Sequence, residues 1–446
     1  MSARLRPLFP LLSLLVACGA SAEGTPGEET SPCNAGACLE GLECRSDLCV
    51  DPDWQPTGGP ATSASGEGGE TTGSPQPTEP SDEVDILFVV DNSGSMGDEQ
   101  ANLSESIHGL ILPLVDGGFD IRVAVTTSDD SNYWCSGSGV SDPESGQFVY
   151  SSCRSRLGDF YFSGTDTAAE TACTDFCEFD SITASDGPWL DVTDAASAFD
   201  ALRCVLPQGI NGCGFESTLE SGRKALALAG SDGQDESGFV RDGAHLAVVF
   251  VTDEADCSFN PSHQATVFGE QGTGNQEFWS LPDVQQSPTS AVCWNAGVDC
   301  DFSLGSEQCV SADKDVNGNA TTDADQAALH PVARFRSQLE ALRQDKLSSG
   351  ADVFVFGLVG VPENYDGVMS YAQGPDGTSP DSFQAKFGIG QGCSSAVVGE
   401  AVPPVRIREL AEGSAWGDNG KLYSVCATDY APALGDMAST IVDYTP

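Results

Sequence analysis

The sequence contains very few basic residues. Lys and Arg together number 19 against 67 Asp and Glu, which gives the 446-residue chain a formal net charge of -48. A surface this negative repels nucleic-acid phosphates and anionic lipid headgroups, so we expect neither as a partner. The same charge is typical of a soluble exported protein and would attract divalent cations, although solubility alone also accounts for it.

Signatures of catalysis are also missing. The four histidines show no spacing typical of a Ser-His-Asp triad or of a metal-binding cluster. The chain has no GxSxG, no HExxH and no phosphate-cradling glycine loop ahead of a lysine. The best enzymatic alternative is a Mg²⁺-dependent phosphoesterase with Asp91 as nucleophile, but it lacks a second nearby aspartate and a cationic phosphate clamp. We therefore expect a protein that is not an enzyme.

The apolar run in MSARLRPLFPLLSLLVACGA is too short to remain in a bilayer, and it follows two arginines, which predicts an export signal. Leu15 to Cys18 resemble the lipobox of bacterial lipoproteins, in which cleavage precedes a cysteine that is then lipidated. The resemblance implies a signal peptide over 1–18 and a lipid anchor at Cys18. Gly19 rather than aspartate follows, which argues against inner-membrane retention, so we expect the outer membrane. Ordinary cleavage near Ala20-Ser21-Ala22 is the alternative.

Seventeen cysteines is an odd number, and lipidation of Cys18 would leave 16, enough for eight disulfides. A zinc site is the alternative for the first four, but no histidine lies nearby, no CxxC pair occurs and an exported chain meets an oxidising compartment. Connectivity within a group cannot be read from the sequence. The 16 form even local groups: Cys33, Cys38, Cys44 and Cys49; Cys135, Cys153, Cys173, Cys177, Cys204 and Cys213; Cys257, Cys293, Cys300 and Cys309; Cys393 and Cys426.

Composition divides the chain into segments. Residues 19–32 are small and polar and read as a tether, 33–50 hold a small four-cysteine module, and 51–83 form a disordered linker rich in Pro, Gly, Ser and Thr. From 84 to 446, continuous apolar runs alternate with helical patterns, which predicts an α/β domain with a doubly wound, mainly parallel sheet. Predicted strands are 84–90, 119–126, 245–252, 351–361 and 422–427; predicted helices are 98–114, 195–206, 217–229, 331–347, 405–412 and 431–442.

Two cysteine-bearing insertions, about 128–193 and 254–330, interrupt the predicted domain. Both follow the carboxyl ends of predicted strands. Loops this long in a compact domain are expected either to have a function or to be held in place by disulfides. Ligands of open α/β sheets bind at that edge. We therefore expect the insertions to surround any site there.

Oxygen-bearing side chains follow two of the predicted strands. The stretch VDILFVVDNSGSMG places Asp91, Ser93 and Ser95 after the first strand, and Asp253 follows HLAVVFVT. Because the carboxyl ends of parallel strands share one edge, these oxygens should converge on a hard cation such as Mg²⁺, Mn²⁺ or Ca²⁺. Ser95 could instead cap the next helix, but that leaves Asp91 and Ser93 without a reason.

DNSGSMG resembles the metal-ion-dependent adhesion site (MIDAS) of von Willebrand factor type A (VWA) domains, whose first motif is DxSxS after the first strand. The resemblance covers about residues 84–446 and implies a Rossmann-like VWA fold. It also implies that Asp91, Ser93, Ser95 and Asp253 surround a divalent cation, whose open coordination position accepts a carboxylate from a partner. The resemblance rests on DxSxS directly after the predicted strand VDILFVV, because DxSxS without that strand would be weak evidence.

One element of the family pattern does not match. The family expects a threonine in a second loop, and in NGCGFESTLESGRKALA that place falls on or near Cys213. Glu216 is the first substitute, with Ser217 and Thr218 next, and the added acid could favour Ca²⁺ over Mg²⁺. The alternative is that these residues merely begin the helix, with Ser217 as N-cap and Glu220 in the capping box.

DKDVNGNATTDAD resembles a calcium loop of the EF-hand or dockerin type. Asp313, Asp315 and Asn317 alternate ahead of Gly318, but the twelfth position is an alanine, with Asp323 beside it. A solvated acidic loop is the alternative.

We therefore expect a lipid-anchored protein of the bacterial cell envelope that binds a protein or glycan ligand without catalysis. The ligand would offer a carboxylate to a bound Mg²⁺ or Ca²⁺, with Mn²⁺ a further candidate. The alternative is a structural or assembly scaffold of the envelope whose metal site is vestigial or only stabilises the fold.

Overall fold

The computed structural model describes the backbone of Glu43–Arg45 and Leu48–Val50, and residues 80–444 except 136–140, 163–166, 184, 271, 303–307 and 374–378. The chain divides into two compact units, Met1–Pro75 and Gln76–Pro446. In the first, the two short strands pair antiparallel. The predicted signal peptide, Cys18 anchor, tether and most of the module and linker lie outside the described residues.

A six-stranded sheet forms the centre of the second unit. Its strands in chain order are β1 Glu83–Val90, β2 Asp120–Thr127, β3 Leu190–Val192, β4 His245–Val251, β5 Val353–Val359 and β6 Gly420–Ser424. The spatial order is β6-β5-β4-β1-β2-β3, and every neighbouring pair is parallel except β2 with β3. The α/β class and the mainly parallel sheet are confirmed.

Helices cover both faces of the sheet. They are α1 Gly97–Ser106, α2 His108–Asp116, α3 Ala195–Val205, α4 Thr218–Ala229, α5 Val332–Leu347, α6 Val405–Ala411 and α7 Ala431–Val442. Ile86 and Phe88 of β1 face a core shared with α1, α2, α3 and α7, whereas Leu87 and Val89 face a core shared with α4, α5 and α6. Burial on both faces explains why the strands read as continuous apolar runs.

Short elements fill the remaining segments. Antiparallel hairpins pair Tyr161–Phe162 with Thr167–Ala168, Val298–Asp301 with Gln308–Ser311, and Cys393–Ser395 with Gly399–Ala401. Short helices span Cys153–Phe160, Thr171–Thr174, Gln264–Val267, Ala291–Gly297, Phe383–Phe387 and Gly417–Asn419.

Six disulfides occur among the described residues, and every bridge stays within one of the predicted even groups. They join Cys135 to Cys213, Cys153 to Cys173, Cys177 to Cys204, Cys257 to Cys293, Cys300 to Cys309, and Cys393 to Cys426. The grouping is therefore confirmed for these twelve cysteines. The first four cysteines lie where no side chain is described.

Two elements differ from the prediction. The single helix expected over 98–114 is two helices that meet at Ile107. Pro113 cannot donate a hydrogen bond to residue 109, and Gly109 packs so closely on α7 that a Cβ there would lie 2.5 Å from the Ala431 carbonyl oxygen. The edge strand β3 was not predicted, because three half-buried residues are too few to show a period.

A buried ion pair links the loop after β4 to α6. Arg406 and Asp256 have side chains only 2% and 0% exposed, with 2.9 Å between Nε and Oδ2. Asp256 Oδ1 also accepts the backbone N–H of Leu219 in α4 and the hydroxyl of Ser258. One carboxylate thus fixes three segments.

We predict that Arg406→Leu lowers the free energy of unfolding by about 3–5 kcal/mol, because it leaves the Asp256 charge buried and unpaired. Denaturant unfolding followed by circular dichroism measures this loss. Arg336→Leu is the matched control, since its pair with Glu409 is 30% and 39% exposed and should contribute less than about 1 kcal/mol. Equal losses in the two variants would contradict the prediction.

Candidate metal centre at the carboxyl edge of the sheet

The direction of strand order reverses between β1 and β4. β1 is followed outward by β2 and β3 on one side, and β4 by β5 and β6 on the other. β1 and β4 are parallel neighbours with Val90 opposite Val251, so the residues that follow them emerge side by side. In open α/β sheets such a reversal creates a crevice outside the carboxyl ends, where ligands bind. Asp91 and Asp253 border this crevice, which we call the rim.

Asp91 is fully buried at the rim. Its Oδ1 accepts the backbone N–H of Ser93 at 2.8 Å, and its Oδ2 accepts the hydroxyl of Thr252 at 2.6 Å. Burial outweighs these hydrogen bonds and raises the pKa of Asp91 from its ordinary 3.8 to about 6. The bond from Thr252 ties the loop after β1 to the end of β4.

The two serines of the DxSxS motif connect Asp91 to Asp253. The hydroxyls of buried Ser93 and exposed Ser95 lie 3.3 Å apart, and Ser95 also hydrogen-bonds the carboxylate of Asp253. Helix α1 begins after Met96 with no side-chain cap. The structure therefore brings these four predicted residues together, and it does not support the alternative in which Ser95 caps the helix.

Asp253 is 5% exposed, and its Oδ1 has no hydrogen-bond partner. Burial, and then the negative charge of Asp91, raise the pKa of Asp253 to about 7, while the bond from Ser95 lowers it. A buried carboxylate oxygen without a partner carries a desolvation penalty that a cation could offset.

Glu216 lies in the same neighbourhood. Its side chain is fully buried, its Oε2 accepts the hydroxyl of Ser128, and its Oε1 has no partner. Burial, followed by the charges of Asp91 and Glu254, raises the pKa of Glu216 well above its ordinary value. The structure thus places Glu216 among the same buried acids as Asp91.

Ser217 lies at the N-cap position of α4, where the helix-start interpretation put it, but only this position is confirmed. The Ser217 hydroxyl makes no cap; it donates to the carbonyl of Cys257 at 3.0 Å, because the loop before α4 packs on the loop after β4. Glu220 binds Arg223 and Arg334 instead of closing a capping box. Thr218, the other hydroxyl candidate, is buried with its Oγ1 unpartnered.

Sequence reasoning missed two buried acids at the rim. Glu99 in the first turn of α1 is 1% exposed with Oε2 unpartnered, and burial and the charge of Asp253 raise its pKa to about 9. Burial and the charges of Asp253 and Asp91 raise the pKa of Glu254 well above its usual range. A signal for Glu99 exists in the sequence: it stands four residues before Leu103 and so shares the buried face of α1.

The rim has the donor chemistry of a hard-cation site. Asp91, Glu99, Glu216, Asp253 and Glu254 are five buried carboxylates, and no salt bridge joins any of them to a basic side chain in the described part of the chain. Their ligand atoms are all oxygens, which suits Mg²⁺, Mn²⁺ or Ca²⁺. Unpartnered oxygens on Asp253 and Glu216 add to this fit.

Disulfides brace the loops that carry these acids. Cys213, three residues before Glu216, is bonded to Cys135, and Cys257, four residues after Asp253, is bonded to Cys293. The two loops are joined by the bond from Cys257 N–H to the Glu216 carbonyl at 2.7 Å. Gly212 N–H donates to the Asn92 carbonyl at 2.8 Å, which attaches the Glu216 loop to the DxSxS loop.

The predicted second calcium loop has a different geometry. Asp315 is half-buried and accepts the backbone N–H groups of Asn317 and Asn319, while Asp323 accepts that of Asp325. The carboxylates of Asp313, Asp315 and Asp323 do not come within 4.8 Å of one another. In the described residues, such a group of three occurs only at Cys153, Cys173 and Cys177, which are disulfide-bonded. The structure thus gives Asp315 and Asp323 turn-forming roles.

We predict that the metal-free protein loses stability as pH rises from about 4 to 7. Asp91 and Asp253 have folded-state pKa values of about 6 and 7, above their ordinary 3.8, so the folded state holds these protons more tightly than the unfolded state. A shift of two pKa units corresponds to about 3 kcal/mol for Asp91. Denaturant unfolding in chelator at several pH values measures the effect.

The paired variant Asp91→Asn/Asp253→Asn isolates this contribution, because the amides cannot titrate. Its free energy of unfolding should depend less on pH between 4 and 7 than that of the wild type. Parallel profiles would contradict the assignment.

We also predict that Cys135→Ala/Cys213→Ala weakens divalent-cation binding about 10-fold, because it frees the loop that positions Glu216. Isothermal titration gives the two affinities. Cys300→Ala/Cys309→Ala is the control, since that disulfide closes a separate hairpin. A control variant that loses as much affinity would show a general effect of disulfide removal.

Comparisons with known proteins give little guidance. No family model and no curated protein matches the chain. Two crystal structures of the pilus adhesin SpaC from Lactobacillus rhamnosus GG, one in an open conformation, match 82% of the chain at 13% and 10% identity, each with a TM-score of 0.29. The chain spans 30% and 31% of the two matched chains. A TM-score this low carries no argument about fold or function.

Proposed function

We propose that residues 84–446 form a VWA-type domain that binds a protein or glycan ligand through a divalent cation at the rim, without catalysis. One observation carries the proposal. Four residues meet just beyond the carboxyl ends of β1 and β4: buried Asp91, Ser93 and Ser95 with their hydroxyls close together, and Asp253 with an unpartnered oxygen. Strand pairing accounts for the proximity of Asp253, and its buried, unpartnered oxygen is what supports a cation there.

Different residues would have different roles in such a site. Thr252 and the Ser93 backbone hold the Asp91 carboxylate in place, so its orientation is set before a cation arrives. Gly94 and Ser95 are exposed, and they mark the side from which a partner can reach the site. The bound cation would supply a positive centre for an acidic group of the partner, offsetting the repulsion that a chain of net charge -48 exerts. Glu216 adds negative charge, which favours Ca²⁺.

The proposed setting is the bacterial cell envelope. A lipid on Cys18 would anchor the chain to the outer membrane, and the four-cysteine module and the linker would hold the binding domain away from the surface. Within the described residues, no helix is long and apolar enough to cross a membrane.

A scaffold role in the envelope is the second candidate, with a cation that only stabilises the fold. The burial of Glu216 and Glu254 favours it, because acids sealed in the protein hold a cation without presenting it to a partner. The Mg²⁺-dependent phosphoesterase is a weaker candidate. Asp253 supplies a nearby aspartate, but no salt bridge brings a basic side chain to the five rim carboxylates in the described residues, so a phosphate clamp has no support there.

The test is calorimetric titration of Mg²⁺, Ca²⁺ and Mn²⁺ into the chelator-stripped full chain and its Asp91→Ala/Ser93→Ala variant. We expect saturable binding that the variant loses, because both its oxygen donors are removed. Ser439→Ala/Asp443→Ala is the control: it removes the same two residue types from an exposed part of the chain in and after α7. Wild type and rim variant titrating alike would refute the rim site.

The binding role needs a second measurement. Immobilised protein is screened against acidic peptides and acidic glycans in the preferred cation and in chelator. Capture that depends on both the cation and Asp91 supports the adhesion-type role, whereas capture that survives chelation favours the scaffold.

A further inference from the structure

We propose that Gln100 is a positioning residue of the rim, which holds the DxSxS loop against residues 208–212. This inference rests on the proposed metal site and adds to it a residue that acts through Asp91 rather than as a ligand. We call residues 208–212 the support loop.

The Gln100 side chain is 0% exposed and lies near the start of α1. Its Nε2 donates to the carbonyl oxygens of Asp91 at 2.8 Å and Gly209 at 2.7 Å. Its Oε1 accepts the N–H groups of Gln208 at 2.8 Å and Gly209 at 3.0 Å. A side-chain amide has two N–H groups and one oxygen with two lone pairs, so these four bonds use all its positions. Gln100 therefore joins the DxSxS loop to the support loop in one fixed orientation.

The bond to Asp91 acts on the first residue of the proposed metal site. The Asp91 N–H donates to the Val251 carbonyl at 2.9 Å, so strand pairing holds the peptide before Asp91 and Gln100 holds the peptide after it. The direction of the carboxylate depends on both peptides, because the side chain leaves the backbone between them. Loss of the Gln100 bond would allow the turn after β1 to rotate and to carry the Asp91 carboxylate out of place.

A second contact attaches the same two loops. Gly212 N–H donates to the Asn92 carbonyl at 2.8 Å. The Asn92 side chain is 2% exposed and packs so closely on Gly212 that a Cβ there would lie 2.2 Å from Asn92 Oδ1. A methyl group at position 212 would therefore push the DxSxS loop away from the support loop.

The first insertion fixes the support loop in turn. Arg156 of the insertion donates to the carbonyls of Pro207 at 2.6 Å and Gln208 at 3.0 Å. Ile210 N–H donates to the Asp159 carbonyl at 2.7 Å. The backbone groups that Gln100 binds are thus held from the other side as well, so Gln100 connects the DxSxS loop to a fixed part of the fold.

Two variants test this connection, each with a matched control. Gln100→Met keeps the length of the side chain and removes its four hydrogen bonds. Gln285→Met is the control: Gln285 is also buried, and it bonds the Leu281 N–H at 3.0 Å and the Ala385 carbonyl at 3.3 Å.

The second variant is Gly212→Ala, which places a methyl group against Asn92. Gly214→Ala is its control, since a Cβ at Gly214 would meet nothing within 4 Å among the described residues. The two variants disturb the same pair of loops through different contacts.

Isothermal titration of Ca²⁺ into the chelator-stripped full chain gives the affinities. We expect Gln100→Met and Gly212→Ala to bind Ca²⁺ about 10-fold more weakly than wild type, because each loses support for a ligand-bearing loop. Gln285→Met and Gly214→Ala should keep the wild-type affinity. Melting temperatures in chelator should show that Gln285→Met loses stability without losing affinity.

A spectroscopic measurement separates positioning from loss of stability. Tb³⁺ is a hard cation that takes oxygen ligands as Ca²⁺ does, and its luminescence lifetimes in H₂O and D₂O give the number of water molecules bound to it. We expect Tb³⁺ to carry more bound water in Gln100→Met than in wild type, because a displaced carboxylate leaves a coordination position open.

The outcomes separate this inference from the proposed metal site. Wild-type affinity and lifetimes in Gln100→Met and Gly212→Ala, with binding still abolished in Asp91→Ala/Ser93→Ala, would overturn the positioning role and leave the rim site standing. No binding in wild type would refute both. Equal losses in Gln285→Met and Gln100→Met would show a general effect of removing a buried amide and would also overturn the positioning role. If Gln100→Met does not fold, Gly212→Ala against Gly214→Ala decides in the same way.

Discussion

The rim depends on one constraint: several carboxylates are buried close to one another where β1 and β4 end side by side. β1 and β4 pair at the centre of the sheet, and this pairing brings Asp91 close to Asp253. Each carboxylate raises the cost of ionising the other, and the hydroxyls of Thr252 and Ser95 compensate only in part. The disulfides at Cys213 and Cys257 prevent the surrounding loops from relaxing away from this repulsion. The fold thus holds together a group of acids that would otherwise separate.

Much of the fold could be predicted because the strands are buried on both faces. The five continuous apolar runs each became a strand within a few residues of the expected bounds, and the helix predicted over 331–347 is α5, whose Phe335 and Leu339 lie in the core. Elements without a period were not predictable. β3 has three residues, and the break at Ile107 depends on a close contact between Gly109 and α7, which lies far away in sequence.

The site could be predicted in part for the same reason. Asp91, Ser93, Ser95 and Asp253 follow directly from strand ends, so strand order alone brings them together. Glu216 required the resemblance to a family. The hydrogen bond of the Ser217 hydroxyl was not predictable, because its partner, the Cys257 carbonyl, belongs to a loop whose path no local pattern indicates. Glu99 looked like an ordinary favourable acid at a helix start. Only its burial distinguishes it from Asp98, and burial depends on tertiary packing.

The buried acids at the two edges of the sheet differ in how many of them have a basic partner. At the amino ends of the strands, Asp85 is paired with Arg241 at 2.8 Å and Asp352 with Arg343 at 2.5 Å. The chain has only 19 basic residues, yet two of them, Arg241 and Arg343, lie on the buried acids of this edge. At the carboxyl ends, Asp256 is paired with Arg406 and Asp130 with Lys224, but the five rim carboxylates have no such partner in the described residues. Since the same chain neutralises other buried acids with its own basic side chains, the five unpaired rim carboxylates support the proposal of a cation that comes from solution.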